Sequence, residues 1–194
     1  MISSNFVYLA VIAQFLGGLS YLIDTIKGNI QPNKVSWLLW SVAPLIAFVA
    51  ELFKGVGIQS LTTFIVGFTP LTIFVASFLN KRVMWKIEKL DIICGALSLC
   101  GLVLWFVSRE ANIAIVFSIM ADALAAVPTV YKSYQFPKTE NHWVYSTGVL
   151  AMGLTLLTIT QWNFQTYAFP IYIFLLDLTI FIFIKFRVKS LLSR

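Results

Sequence analysis

The chain has 194 residues, of which 59% are hydrophobic and 11% charged, with a mean hydropathy of +0.88 and a formal net charge of +6. Soluble domains carry about 25% charged residues, so this composition excludes an ordinary water-facing globular domain and calls for lipid as the solvent. The length accommodates about seven apolar spans of ~20 residues with short loops and leaves no room for a soluble domain.

A lipid-exposed segment must satisfy its own backbone, so the apolar runs are expected to be helices. They fall at residues 5–26, 35–53, 58–79, 90–108, 111–131, 143–161 and 166–184, and a basic tail, KFRVKSLLSR, follows. The first 23 residues carry no Lys or Arg, so the opening run reads as a span rather than a cleavable signal. Cys94 and Cys100 lie six apart in one apolar run and read as core packing rather than a disulfide or metal pair.

Seven spans put Lys27, Lys34, Lys81, Arg82, Lys86, Lys89, Lys132, Lys138, Lys185, Arg187, Lys189 and Arg194 on one side. Only Lys54 and Arg109 fall on the other. The positive-inside rule then sets the N-terminus outside and the C-terminus in the cytoplasm. With the positive charge spread over short membrane-adjacent segments, nucleic acid is not an expected partner.

A degenerate repeat runs through the chain at an offset of 105 residues. GGLSYLIDTIKGNIQPNKVSW answers to ADALAAVPTVYKSYQFPKTEN, so that Lys27 falls on Lys132 and Pro32 on Pro137. Three spans per copy and one linker span leave the two copies parallel. The expected organisation is residues 1–79 as a first three-helix repeat, 80–110 as a basic loop and linker helix, and 111–194 as a second repeat with the basic tail.

On these features the chain resembles the PQ-loop superfamily, which includes SWEET sugar carriers, lysosomal amino-acid exporters and the KDEL-receptor fold. Stretches such as PNKVSWLLWSVAPLIAF and VPTVYKSYQFPKTEN are similar to those of small bacterial PQ-loop-like membrane proteins. The Pro-Gln dipeptide itself is absent, with Pro128-Thr129 and Ile23-Asp24 in its place. The resemblance implies an all-α integral membrane protein of seven helices in a 3+1+3 arrangement, in a bacterial inner membrane. It also implies Pro44 and Pro128 as hinges, with Ile23 and Gly148 in place of the two other hinge prolines.

Asp122 and Asp177 interrupt apolar runs, each 11 residues into its span, about 16 Å deep. Midplane carboxylates are costly and usually face a cavity or a partner. With no Lys or Arg at that depth, each is a candidate solute ligand or proton carrier. The alternative is a protonated Asp bonded to a Ser, Thr, Tyr or carbonyl as interhelical glue. The offset sets Asp177 on Thr72, and the family pattern adds Trp162 as an aromatic that stacks on substrate, although an interfacial anchor explains it equally. Gln14 either lines the cavity or bonds a neighbour. Trp37, Trp40, Trp143 and Tyr145 read as belt aromatics or, for Trp40 and Tyr145, as an inner gate. Asp24 beside Lys27 reads as a surface ion pair or a gating latch, and His142 as a solvated loop residue.

The chain has no HExxH, GxSxG, Walker or Cys/His cluster motif, so no catalytic residue, cofactor or metal is expected. The leading expectation is a secondary carrier or facilitator for a small polar solute such as a sugar or amino acid, with protons as a coupling partner. A receptor or scaffold of the same fold is the alternative. The lipid bilayer is the surrounding partner, and a homo-oligomer is compatible with the sequence.

Overall fold

The computed structural model describes residues 6–53, 60–79, 86–107 and 111–192. Lys54, Lys81, Arg82, Arg109 and Arg194, which enter the charge argument, lie outside them. The described residues form helices and contain no strand: α1 (Phe6–Lys27), α2 (Lys34–Phe53), α3 (Ser60–Ala76), α4 (Lys89–Val107), α5 (Ala111–Gln135), a 3-10 helix (Pro137–Thr139), α6 (His142–Thr158), α7 (Phe164–Phe186) and α8 (Val188–Leu192). The segments Tyr8–Lys27, Ile115–Gln135 and Thr166–Phe186 are long and apolar enough to cross a membrane, and Phe64–Ala76 is a shorter apolar helix. Large apolar side chains such as Leu97, Val103 and Phe106 point outward, a surface suited to lipid.

Most expected boundaries lie within three residues of the observed ones. The exception is α5, which continues to Gln135 rather than stopping near Tyr131. The polar residues Lys132 and Ser133 are fully buried, so the change of composition there does not mark the end of the helix.

In the packing, α3 lies between α1 and α2, whose backbones stay apart although Tyr21 and Trp37 meet between them, and α7 lies between α5 and α6, whose backbones also stay apart. The two groups meet along α1 and α6 and, over a shorter stretch, along α2 and α5; α4 packs on α5 and reaches α2. Missing side chains allow the closest approaches. A Cβ on Gly17 would fall 1.8 Å from Thr147 Oγ1 across the α1–α6 seam, and one on Gly18 would fall 2.1 Å from Thr69 Cγ2 across α1–α3.

The later halves of α1, α3 and α7 join the first turns of α2 and α6 at one end of the assembly. Tyr21, Trp37, Ile73, Val144, Tyr145, Ile180 and Ile184 form a buried cluster there with Ile30. The start of α4 reaches the same end, because Asn33 Nδ2 donates to Asp91 Oδ1 at 2.6 Å.

Candidate functional site

The buried end is closed by a polar network centred on Glu140. This residue follows the 3-10 helix, whose Pro137 holds the turn between α5 and α6. Lys132 Nζ meets Glu140 Oε1 at 2.6 Å, and both side chains are 0% exposed. The other carboxylate oxygen accepts from Tyr21 Oη at 2.7 Å and from Tyr145 Oη at 3.4 Å, while Trp37 Nε1 donates to Tyr21 Oη at 3.3 Å. Lys132 also donates to the carbonyl of Gln31 in the α1–α2 loop. The tyrosine and tryptophan rings pack tilted and edge-on around this network, with the Tyr21 and Trp37 centroids 4.6 Å apart and the Tyr21 and Tyr145 rings at 89°. A buried ammonium and carboxylate are tolerable only when paired and hydrogen-bonded, and here five elements supply the partners.

Further along the helices lie the two carboxylates that interrupt apolar runs. Asp122 on α5 accepts a 2.7 Å hydrogen bond from Tyr172 Oη on α7. The Trp40 indole of α2 lies beside it, with its buried N–H close enough to act on the Asp122 carboxylate. Asp177 stands five residues beyond Tyr172, about 7.5 Å along α7, within electrostatic reach of both Asp122 and Tyr145. It fits against α6 because Gly148 has no side chain: a Cβ there would fall 1.9 Å from Asp177 Oδ2. Asp122, Trp40, Tyr172 and Asp177 thus gather from three helices above the Glu140 network.

Other expected residues fall elsewhere. Thr72 Oγ1 donates to the Thr69 carbonyl of its own helix at 2.7 Å, and the α3 and α7 backbones stay apart, so the hydroxyl proton of Thr72 is not given to Asp177. Trp162 lies before α7, 58% exposed and stacked on Tyr167; Asp177 is about 20 Å further along the chain axis. That placement matches an interfacial anchor and separates Trp162 from the carboxylates. Gln14 lines a cavity of about 40 Å³ between α1, α3 and α6, room for about one water, and its buried Oε1 has no hydrogen-bond partner.

The gate residues divide. Trp37 and Tyr145 are buried and Trp40 half-buried, so these three do not face outward as belt aromatics would, whereas Trp143 is exposed. Asp24 does not pair with Lys27. It accepts from Asn141 Nδ2 at the start of α6 and from Asn29 Nδ2 at 3.0 Å, because these amides reach it where Lys27 turns outward. His142 is the first residue of α6 rather than a solvated loop residue, half-buried against Trp143 and Phe181. Lys132 is a buried structural cation as well as a charge in the loop count.

Pro44 and Pro128 lie inside α2 and α5 as expected, and Pro70 and Pro170 lie inside α3 and α7. Pro128 lacks the N–H that would reach the Leu124 carbonyl. Nearby carbonyls of the same helix are bonded from outside: Ser98 Oγ donates to Ala121 O at 2.7 Å and Ser36 Oγ to Ala125 O at 2.6 Å. Thr129 Oγ1 donates to Ser36 Oγ at 2.8 Å.

Sequence reasoning passed over Glu140, Tyr21 and Tyr172. The available signals were an acidic residue eight positions after Lys132 in a basic loop, and a tyrosine within the most apolar runs. Comparison with protein-family models, curated proteins and solved structures finds no match to this chain.

Proposed function

We propose that the protein is a seven-span membrane carrier for a small polar solute, built as two parallel three-helix bundles that rock about a mid-membrane site, with α4 as the linker. The observation that carries this reading is the pair of mid-helix carboxylates, Asp122 and Asp177, gathered with Trp40 and Tyr172 above a sealed end. Aromatic faces beside hydrogen-bonding carboxylates suit a sugar or a cationic solute such as an amine, and either Asp is a candidate proton carrier.

The contacts between bundles support the repeat. An offset of 105 carries Ser36 onto Asn141, Ala125 onto Ser20 and Thr129 onto Asp24. Ser36 bonds Ala125 and Thr129 across α2–α5, and Asn141 bonds Ser20 and Asp24 across α6–α1. Equivalent positions therefore make equivalent bonds, as parallel repeats require. The same permuted order, with the third helix between the first and second, recurs in both bundles. Under this reading the sealed end is cytoplasmic, and Pro44 and Pro128 are hinges.

The test is uptake into liposomes holding the purified protein, over a panel of sugars, amino acids and polyamines at mildly acidic and neutral pH. A transported solute whose flux falls at least tenfold in Asp177→Asn, while binding-independent stability is kept, is the expected result. Full, pH-dependent transport by that variant removes Asp177 from the site. Cysteines placed at both ends of the central path are expected to become protected in turn; a static pattern favours the receptor or scaffold alternative.

A further inference from the structure

Where α7 passes into α8, Arg187 adopts a left-handed backbone with φ 49°. Ser190 fixes the turn by donating to the Arg187 carbonyl from N at 2.8 Å and from Oγ at 2.9 Å. Across from it lie the end of α5 and the 3-10 helix, joined to α8 by a hydrogen bond from Lys189 Nζ to Gln135 Oε1. Between them opens a groove of about 540 Å³, with Phe136 and Pro137 as its apolar surface and Lys138, Arg187 and Lys189 as its cations; among the described residues no carboxylate lines it. Phe136, Phe186 and Leu191 are exposed at the same corner.

A groove that is apolar on one side and cationic on the other, at the end of a membrane-crossing helix, complements an amphiphile with a negative head. The geometry points to this groove as a binding site for an anionic membrane phospholipid. The phosphate sits among Lys138, Arg187 and Lys189, and the glycerol and first acyl carbons lie along Phe136 and Pro137. A soluble phosphate would satisfy the cations and leave the apolar surface bare, so the lipid is the better complement. The site is separate from the carboxylates and does not depend on the carrier reading.

The test is native mass spectrometry of the full-length protein, released from phosphatidylcholine nanodiscs with and without phosphatidylglycerol. Phosphatidylglycerol is expected to stay bound in preference to phosphatidylcholine. Lys138→Gln with Arg187→Gln is expected to weaken its retention about fivefold per charge removed. Both side chains are exposed, and unchanged thermal unfolding in pure phosphatidylcholine verifies the fold. Lys86→Gln with Lys89→Gln removes the same charge from an exposed segment elsewhere and is expected to leave retention near the parent value. An equal loss in both double variants means diffuse surface attraction and overturns the site. No preference for phosphatidylglycerol also overturns it, as does displacement of the lipid by millimolar-range inorganic phosphate, which would mark a simple anion site.

Discussion

Lys27 and Lys132 lie 105 residues apart, at equivalent positions of the proposed repeats, and meet opposite fates. Lys27 is exposed at the end of α1, whereas Lys132 is fully buried and ion-paired with Glu140. The partner explains the difference. The 105-residue offset puts Val35 in the first copy where Glu140 stands in the second, so Lys27 has no carboxylate at the position from which Glu140 neutralises Lys132. A similar divergence occurs deeper in the bundles. Asp122 and Tyr172, which hydrogen-bond across α5–α7, correspond to Gly17 and Gly67 in α1 and α3. One copy supplies polar groups, and the other supplies the absence of side chains that lets α1 approach α6 and α3 approach α2. Under the proposed repeat, paired positions thus keep a common framework while the chemistry concentrates in the second copy.

The sharpest way to break this comparison is to remove the buried cation. Lys132→Met leaves Glu140 buried without its charge partner, and a loss of about 3–5 kcal/mol is expected. Lys132→Met with Glu140→Gln should recover most of it. Lys27→Met should be nearly neutral. Thermal unfolding in detergent reads all three, and a double variant no better than the single would show that the pair itself, not the orphaned charge, sets the cost.

Gly17→Ala probes the close seam. The added Cβ would meet Thr147 Cβ at 2.9 Å as well as its hydroxyl, and rotating the side chain cannot move that carbon. The α1–α6 seam must open, with an expected cost of about 1–3 kcal/mol. Asn141→Ala removes the cap that accepts from the Trp143 N–H at 2.6 Å together with the bonds to Asp24 and Ser20, for about 1 kcal/mol. Its counterpart Ser36→Ala loses bonds but no N-cap, so a smaller effect is expected. Tyr172→Phe should cost least, ~0.6 kcal/mol for an interhelical bond in a membrane. Under the proposed carrier function its larger consequence is expected in transport, by freeing Asp122.

The sequence disclosed the helices because apolar runs bounded by basic loops carry their own signal. It also disclosed Asp122 and Asp177, since a carboxylate inside such a run is conspicuous. It did not disclose the Glu140 network. In Lys132, Ser133 and Glu140 the polar residues that normally mark a membrane boundary are buried, and the Gln31 carbonyl and Tyr21 hydroxyl that bond Lys132 and Glu140 are about a hundred residues away in the chain. Thr72 was misleading for a different reason: the offset gave its position, but its hydroxyl is already satisfied by the preceding turn. Trp162 shows that spacing within a repeat places a residue along the chain and says little about its depth once a loop intervenes.

The burial of Lys132 also has a consequence in time. During synthesis a lysine just after an apolar run is still hydrated and counts, in the proposed orientation, among the charges that retain a loop in the cytoplasm. Glu140 leaves the ribosome only eight residues later, whereas the Gln31 carbonyl and Tyr21 have long been in place. Tyr145 arrives when α6 inserts. The same ammonium can thus first help choose which way the chain threads the bilayer and then, once α6 has docked on α1, withdraw from water to hold the halves together. A topogenic signal used in this order is erased from the surface of the finished protein.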